Sequence, residues 1–118
     1  MNRMNAPRKP LLVVGSIGLD TVETPFGEVK DVLGGAASYS AIAASMFTEI
    51  RLVGVIGHDF PEKHLKLFRE RSIDLTGLQQ QEGNTFRWSG YYEYDMNQAH
   101  TVATHLNVFE EFRPAIPD

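Results

Sequence analysis

An aspartate and a pair of glycines are the residues of this sequence whose types and spacing could support ligand chemistry. Asp20 comes shortly after the apolar run 11–15, LLVVG, which is typical of a strand buried on both faces. Ligands of open α/β sheets gather outside the carboxyl ends of such strands. Asp20 is therefore a candidate partner for substrate hydroxyl groups. The alternative is that it caps a turn or forms a structural ion pair.

Gly34 and Gly35 open the stretch 33–47, LGGAASYSAIAASMF, which has no charge and no proline. Its alanines favour a helix, and the spacing of three of them puts small residues on one face. These are Ala37, Ala41 and Ala44. Because the opposite face is hardly more polar, we expect a helix covered on both sides. Its amino end would offer unpaired N–H groups to an oxygen-rich ligand, and the alternative is simple tight packing.

The elements around these residues alternate as in an α/β protein. Residues 51–57, RLVGVIG, predict a second buried strand after the small-residue helix, which gives a strand, helix, strand order. A second helix is predicted over 59–72, with Asp59 or Phe60 at its cap and Pro61 in its first turn. Residues 73–78 predict a short strand and turn.

Two further stretches predict a small separate β-sheet. Residues 21–32 contain Pro25 and Gly27 and predict two short strands joined by a turn. In 85–94 and 101–109 the hydrophobic period changes to two, which predicts an antiparallel hairpin with a possible bulge at Gly90. We expect this aromatic hairpin to pair with the 21–32 flap. The final residues, FRPAIPD, predict an extended segment.

Composition narrows the functional classes. The chain has 118 residues, 42% of them hydrophobic and 22% charged, which is ordinary for one globular domain or part of one. A net charge of −4 argues against nucleic-acid binding. There is no cysteine, and the four histidines lack metal-ligand spacing, so no metal site is expected. Residues 1–10 predict a loose arm without the apolar core of a secretion signal, and we expect a cytoplasmic protein without membrane segments.

The common phosphate-binding and hydrolase motifs are missing from the sequence. It contains neither GxxxxGK[ST] nor GxGxxG, and no GxSxG or HExxH.

Nevertheless, the order of the predicted strands and helices resembles the amino-terminal part of the ribokinase-like, or PfkB-type, carbohydrate kinases. The matching segments are VVGSIGLD, GGAASYSAIAAS, RLVGVIGHDFPEKHLKLFRERSID and TFRWSGYYEYD. The resemblance covers nearly all of 11–112 and implies a partial ribokinase-like α/β sandwich over 11–118.

The resemblance also implies roles for particular residues. Asp20 would bind substrate hydroxyls, and Gly34 and Gly35 would let the backbone approach the substrate. The segments 21–33 and 84–110 would form a β-sheet lid that closes over a sugar or nucleoside. Arg87 would be a lid contact to an anionic or hydroxyl-rich ligand, with an exposed strand arginine as the alternative. Tyr39 stands where the family usually has asparagine, so that it either stacks on the ligand or fills space.

The family's GAGD-type motif and ATP site have no counterpart in these 118 residues. We therefore expect the substrate-binding and lid part of a kinase that uses ATP and Mg²⁺, with no catalysis and little cofactor binding by this chain alone. A second interpretation is a non-catalytic binding or dimerisation module, because a partial α/β fold leaves edges and faces that another copy could cover. A third is a product of expression or proteolysis. The particular substrate, the oligomeric state and the reason for the chain's end are not predicted.

Overall fold

The computed structural model describes residues 9–117, which form two sheets and two α-helices. The strands of the first sheet are β1 (Leu11–Val14), β4 (Ile50–Ile56) and β5 (Leu78–Gln80). The strands of the second sheet are β2 (Gly18–Thr24), β3 (Gly27–Gly34), β6 (Phe86–Tyr92) and β7 (Ala99–His105). The helices are α1 (Ala36–Ser45) and α2 (Glu62–Glu70), followed late in the chain by a 3₁₀ turn (Asn107–Phe109). Most of the predicted arm, residues 1–8, lies outside the described residues, as does residue 118.

The first sheet has the order β1-β4-β5, and all of its pairs are parallel, as the predicted strand, helix, strand order requires. Strand β4 is its buried centre. Strand β1 was predicted to be buried on both faces. This prediction is wrong, because more than a third of the surface of each of Leu11, Leu12 and Val14 is exposed. Among the described residues β1 pairs only with β4, so that it is an edge strand whose apolar side chains lack a second neighbour.

Helix α1 packs its alanine face on the first sheet. Ala37 and Ala41 are buried, because small side chains let the helix approach β1 and β4 closely. We expected a helix covered on both sides, and the described residues cover only one. Tyr39, Ser40 and Ala43 are exposed on the other.

Helix α2 packs on the first sheet through Phe68, which is fully buried. The ring of Phe68 is nearly parallel to the ring of Phe60, and the two ring centroids are 6.5 Å apart. Its N-cap is Pro61, so the prediction of a cap at Asp59 or Phe60 is wrong. The reason is that Asp59 is held by residues of the second sheet, as described below. Residues 73–78 form no continuous strand, since Asp74 makes a single bridge to Arg51 and pairing resumes at β5.

The second sheet has the order β3-β2-β6-β7 and confirms that the hairpin pairs with the flap. Its β2–β3 and β6–β7 pairs are antiparallel, but β2 and β6 run parallel, which the sequence analysis did not foresee. Both strands enter the sheet directly after a strand of the parallel first sheet, so they share a direction. A register shift between Ser89 and Gly90 confirms a bulge at this point of the hairpin, but its extra residue is Val102 of β7, because Ser89 pairs with Ala103 and Gly90 with Thr101.

The connections between the two sheets contribute to one core. Ile17 and Leu19, at the passage from β1 into β2, are fully buried in the same cluster as Leu52 and Phe68. After β7 the chain leaves the strand geometry predicted as far as 109. Asn107 has a positive φ of 52° and its side-chain amide donates to the carbonyl of Thr85 at 2.9 Å.

No helix among residues 9–117 has the length and apolar composition needed to cross a membrane.

Candidate functional site

Asp20 and Gly34 form one structural unit at the start of the second sheet. Gly18 and Gly34 are register partners in the antiparallel β2–β3 pair, and Asp20 lies two residues further along β2 on the same face. The Asp20 carboxylate rests directly on the backbone of Gly34. A Cβ atom at position 34 would lie only 2.4 Å from its Oδ1 atom. A glycine is therefore required at position 34 for the carboxylate to occupy this place.

The environment of Asp20 is unusual for a carboxylate. It is half-buried and accepts no hydrogen bond from any of the described residues. Burial raises its pKa, because the charged form loses solvation without gaining a donor. A carboxylate in this state retains its full capacity to accept hydrogen bonds from a ligand.

Gly35 adopts a backbone conformation that brings helix α1 against the β1–β2 connection. Its φ is +92°, and a Cβ atom there would lie 2.3 Å from the carbonyl oxygen of Ser16. The same Ser16 receives the first N–H groups of the helix, from Ala36 to Oγ and from Ala37 to the carbonyl oxygen, both at 2.9 Å. Ser16 thus takes part of the donor capacity that we predicted for an oxygen-rich ligand. Sequence reasoning did not identify it, since one serine in a short loop gives no pattern.

Tyr39 lies beside Asp20. Its hydroxyl donates to the carbonyl oxygen of Leu33 at 3.2 Å, which ties the ring back to the end of β3, and the residue is 59% exposed. Partial burial, the Asp20 carboxylate and Tyr92 together raise the pKa of Tyr39. The structure therefore brings together Asp20, Gly34, Gly35 and Tyr39, four of the five residues predicted for the site.

Two aromatic residues of β6 share the face of the second sheet on which Asp20 lies. Trp88 is the register partner of Asp20 in the parallel β2–β6 pair, and Tyr92 follows on the same side of β6. The Trp88 indole N–H donates to Thr101 Oγ1 at 3.1 Å. The period of two predicted for 85–94 is consistent with both rings lying on one side of the hairpin. The sequence analysis did not connect them with Asp20, because this needs the β2–β6 register.

Arg87, the fifth predicted residue, belongs to another group of side chains. Its register partner on β2 is Leu19, so it lies on the face opposite to Asp20. Its Nη2 atom donates to Asp59 Oδ2 at 2.8 Å, and its Nη1 atom donates to Asp31 Oδ1. A contact between Arg87 and a ligand stays a prediction, and the guanidinium already has two carboxylate partners.

This charged cluster joins the second sheet to the approach of helix α2. Asp59 Oδ1 accepts hydrogen bonds from the Thr85 N–H at 2.8 Å and from its hydroxyl at 2.7 Å, while the Thr85 hydroxyl in turn accepts from the N–H of Gly57. Asp31 has a positive φ of 54° and lies next to a register shift of the β2–β3 pair. Its carbonyl oxygen lies 3.0 Å from Nε2 of His64, a buried residue of α2.

The donors around Asp59 determine its charge state. Burial acts to raise its pKa, but the hydrogen bonds from Thr85 and Arg87 together with the positive charge of Arg87 lower it. Correspondingly, the hydrogen bond to Asp59 raises the pKa of Arg87 against the effect of burial. The cluster is therefore charged at neutral pH and fixes the second sheet against α2.

The described residues contain no group of three or more His, Asp or Glu side chains arranged to hold a metal ion. A shallow groove of about 600 Å³ follows the carboxyl ends of β4 and β5. It is lined by His58, Gln80, Gln81, Glu82 and Gly83. None of the five predicted site residues lines it, and no predicted chemistry involves it.

Comparison with solved structures defines the class of fold. The Methanocaldococcus jannaschii nucleoside kinase, an archaeal member of the ribokinase family, matches with a TM-score of 0.70 and 19% identity over 84% of this chain and 37% of its own. Ribokinase from Cryptococcus neoformans, in complex with ADP, matches with a TM-score of 0.73 and 20% identity over 85% of this chain and 35% of its own. The described residues thus form part of a ribokinase-like α/β fold.

A curated relative gives a similarity at the level of sequence. The cytidine kinase of Thermococcus kodakarensis is 33% identical over 86 residues, which are 72% of this chain and 31% of the relative. The Burkholderia thailandensis nucleoside kinase in complex with inosine matches in structure with a TM-score of 0.69 and 19% identity, over 81% of this chain and 35% of its own. No family model matches the sequence. The chain spans about a third of the length of the relatives it matches.

Proposed function

We propose that this chain is the amino-terminal, substrate-binding and lid part of a cytoplasmic kinase that transfers the γ-phosphoryl group of ATP to a hydroxyl of a sugar or nucleoside. The observation that carries the proposal is Asp20, a half-buried carboxylate that accepts no hydrogen bond from the described residues and rests on Gly34. Such a group stabilises a bound hydroxyl by a charge-assisted hydrogen bond. The similarity to nucleoside and sugar kinases supports this assignment.

In this proposal the second sheet is the lid. Asp20, Trp88 and Tyr92 face one side of it, and the glycine turn at Gly34 and Gly35 brings Tyr39 to the same place. A sugar held against this face would have its hydroxyls at Asp20 and its ring against aromatic side chains. Closure of such a sheet over the substrate excludes water, which phosphoryl transfer requires because water competes for the phosphoryl group.

The chemistry of phosphoryl transfer needs more than these residues supply. A base must accept the proton of the attacking hydroxyl, and hydrogen-bond donors together with Mg²⁺ would stabilise the charge that develops on the transferred phosphoryl group. The residues that the structure places with Asp20 are Val32, Gly34, Tyr39 and Trp88, and these do not fit a triphosphate or its metal ion. We propose that ATP and Mg²⁺ are held by residues other than these 118, and that the chain alone is inactive.

Calorimetric titration of the purified chain with ribose, fructose and cytidine tests the proposal. We expect saturable binding of at least one of them, weakened about tenfold or more in Asp20→Asn, which keeps the shape but loses the charge. The matched control is Asp74→Asn, an exposed carboxylate whose partners are Thr76 in a local turn and Arg51 at 3.8 Å. Binding that Asp20→Asn does not weaken would contradict the proposed site. ATP-dependent phosphorylation by the chain alone would contradict its inactivity.

A second candidate function is assembly without catalysis. Leu11, Leu12 and Val14 are exposed on β1, and β1 pairs on one side only within residues 9–117. Exposed apolar residues along a strand edge favour pairing with another chain. Sedimentation at several concentrations measures the oligomeric state. A tight homodimer that Leu12→Lys dissociates, together with no sugar affinity, would favour this candidate over the kinase part.

A further inference from the structure

The residues of the proposed site belong to two parts of the molecule whose relative orientation matters. Asp20 and Trp88 lie on the second sheet, whereas Tyr39 belongs to α1, which packs on the first sheet. The chain passes from one part to the other through short connections that contain glycine, among them Gly15 and Gly35. Such connections allow a change of angle at little cost. Contacts between side chains of the two parts are therefore needed to hold one orientation.

Asp59 provides such contacts from the side of the first sheet. It lies in the connection between β4 and α2, and its side chain is only 17% exposed. Its carboxylate oxygens accept hydrogen bonds from the N–H and the hydroxyl of Thr85 and from Nε and Nη2 of Arg87. Thr85 directly precedes β6, and Arg87 belongs to it. These donors thus all come from the start of one strand of the second sheet.

Arg87 extends this attachment across the second sheet. Its Nη1 atom donates to Asp31 of β3, and β2 lies between β3 and β6. The Arg87–Asp31 pair therefore crosses β2 on the face opposite to Asp20, where Arg87 has fully buried Leu19 as its register partner. A planar guanidinium donates to two carboxylates in fixed directions, whereas a lysine ammonium has no such fixed geometry. Arg87 thus holds β3, β2 and β6 in one arrangement with Asp59.

Asp31 has a backbone conformation that a regular sheet does not require. Its φ is 54°, and it forms a bulge with Lys30, since these two residues of β3 stand opposite Thr21 alone on β2. The bulge brings the Asp31 carboxylate to Arg87 and its carbonyl oxygen to 3.0 Å from Nε2 of His64 on α2. A positive φ outside glycine costs free energy, and such strain accumulates where an arrangement serves function. The conformation of Asp31 therefore favours a positioning role over that of a surface ion pair.

We propose that Arg87 is a positioning residue of the site, which forms with Asp59 and Asp31 a latch that holds the second sheet in one orientation relative to the first. The latch does not touch the ligand. It maintains the orientation in which Asp20 lies beside Tyr39. This inference rests on the function proposed above and concerns the control of the same site. A protein that adopts the binding orientation only part of the time binds more weakly, by the inverse of the populated fraction.

The orientation can be measured without a ligand, because the chain contains no cysteine that would compete for labels. Spin labels on Glu23→Cys in β2 and Lys66→Cys in α2, both exposed positions, report the distance between the two parts by double electron–electron resonance. We expect one narrow distance distribution in the labelled chain and a broadened or second one after Arg87→Met. Arg69→Met is the matched control and should leave the distribution unchanged, because Arg69 pairs with Glu62 and both belong to α2.

Calorimetric titration with ribose, fructose and cytidine connects the latch with the site. If about a fifth of the Arg87→Met molecules keep the original distance, binding should be about fivefold weaker than in the unchanged chain. Asp59→Asn should weaken binding similarly, since its amide group would face the Arg87 donors. Arg87→Lys should have a smaller effect, because the charge remains and only the fixed donor geometry is lost. Circular dichroism verifies the fold of each variant, and Arg87→Lys serves as the test if Arg87→Met does not fold.

The outcomes separate the latch from the proposed function. A distance distribution that the Arg87 variants leave unchanged would overturn the latch and leave the cluster with a stabilising role alone. Weaker binding in Arg87→Met with unchanged binding in Asp59→Asn would also overturn it, since Arg87 would then contact the ligand itself. If none of the three compounds binds the unchanged chain, the function proposed above fails, whereas the distance measurement still supports or overturns the latch.

Discussion

Replacing Arg87 by methionine should destabilise the protein by removing the cation that neutralises two aspartates. Methionine keeps most of the length and apolar stem of arginine but has neither the charge nor the donors. In the structure the guanidinium donates to Asp59 Oδ2 from Nη2 at 2.8 Å and from Nε at 3.3 Å, and to Asp31 through Nη1. Without it, two carboxylates from different elements face each other across the same space.

The magnitude follows from the exposure of the three groups. The side chain of Asp59 is only 17% exposed and that of Arg87 33%, whereas Asp31 is 47% exposed. Exposed ion pairs contribute about 0 to 1 kcal/mol, and removing one partner of a buried pair costs about 3 to 5 kcal/mol. The Arg87–Asp59 pair is intermediate, so we expect Arg87→Met to lower the free energy of unfolding by about 2 kcal/mol. Asp31→Asn should lower it by less than about 1 kcal/mol.

Urea denaturation of Arg87→Met, Asp59→Asn and the double variant measures these values in a double-mutant cycle. The pKa of Asp59 is lowered in the folded state, so its contribution is present above the ordinary aspartate pKa and is lost as the pH falls through the folded value. The difference between the unchanged chain and Arg87→Met should therefore be full at pH 7 and shrink on acidification through the carboxylate range. The coupling energy at pH 7 should exceed about 1 kcal/mol.

Three results would refute this reasoning about the cluster. One is a loss of stability below about 0.5 kcal/mol for Arg87→Met at pH 7, which is the value expected for an ordinary surface position. Another is a larger effect of Asp31→Asn than of Asp59→Asn, which would reverse the order given by exposure. The third is a difference between the unchanged chain and Arg87→Met that stays constant on acidification.

Three further substitutions test the backbone and the polar groups near the site. Gly35→Ala should lower the free energy of unfolding by about 2 kcal/mol or more in thermal denaturation, because φ is +92° and the new Cβ would meet the carbonyl of Ser16. Gly15→Ala is the matched control and should change this free energy little, since its new Cβ would have its nearest contact at 3.4 Å. Ser38→Ala should raise the free energy of unfolding in urea by about 1 kcal/mol, because the buried Ser38 hydroxyl has no hydrogen-bond partner among the described residues. Asp20→Asn should raise it slightly at pH 7, since burial raises the pKa of Asp20 and its ionised form opposes folding. This gain should begin to shrink as the pH falls through the raised pKa and should be absent below the ordinary aspartate pKa.

Local sequence signals predicted the elements of this fold well. The apolar run before Gly15, the small residues after Gly35 and the alternation around Trp88 each depend on neighbours within a few positions. Strand, helix and hairpin accordingly appear where they were expected, with bounds that differ by a few residues. The grouping of Asp20 with Gly34 and Tyr39 agrees with what the resemblance to the kinase family implies. The ligand roles of these residues stay predictions.

The features that the sequence did not reveal depend on contacts between distant segments. The parallel β2–β6 pair follows from the path of the chain through the first sheet, and local alternation does not indicate strand direction. The cluster of Asp31, Asp59 and Arg87 needs that pairing and the positive φ of Asp31, so no spacing rule shows it. The exposure of β1 depends on which strands lie beside it, and an apolar run contains no information about its neighbours.

Asp20 and Asp59 show how one small fold treats two carboxylates in opposite ways. Asp59 accepts hydrogen bonds from Thr85 and Arg87, and its pKa is lowered, so its charge contributes to stability. Asp20 accepts none from the described residues, and burial raises its pKa, so its charge works against folding. A purely structural aspartate gains nothing from such a position, whereas a ligand hydroxyl would supply the missing donor. The contrast between Asp20, which lacks a donor, and Asp59, which has several, is therefore the physical reason for our proposal that substrate binds at Asp20, while Asp59 supports the fold.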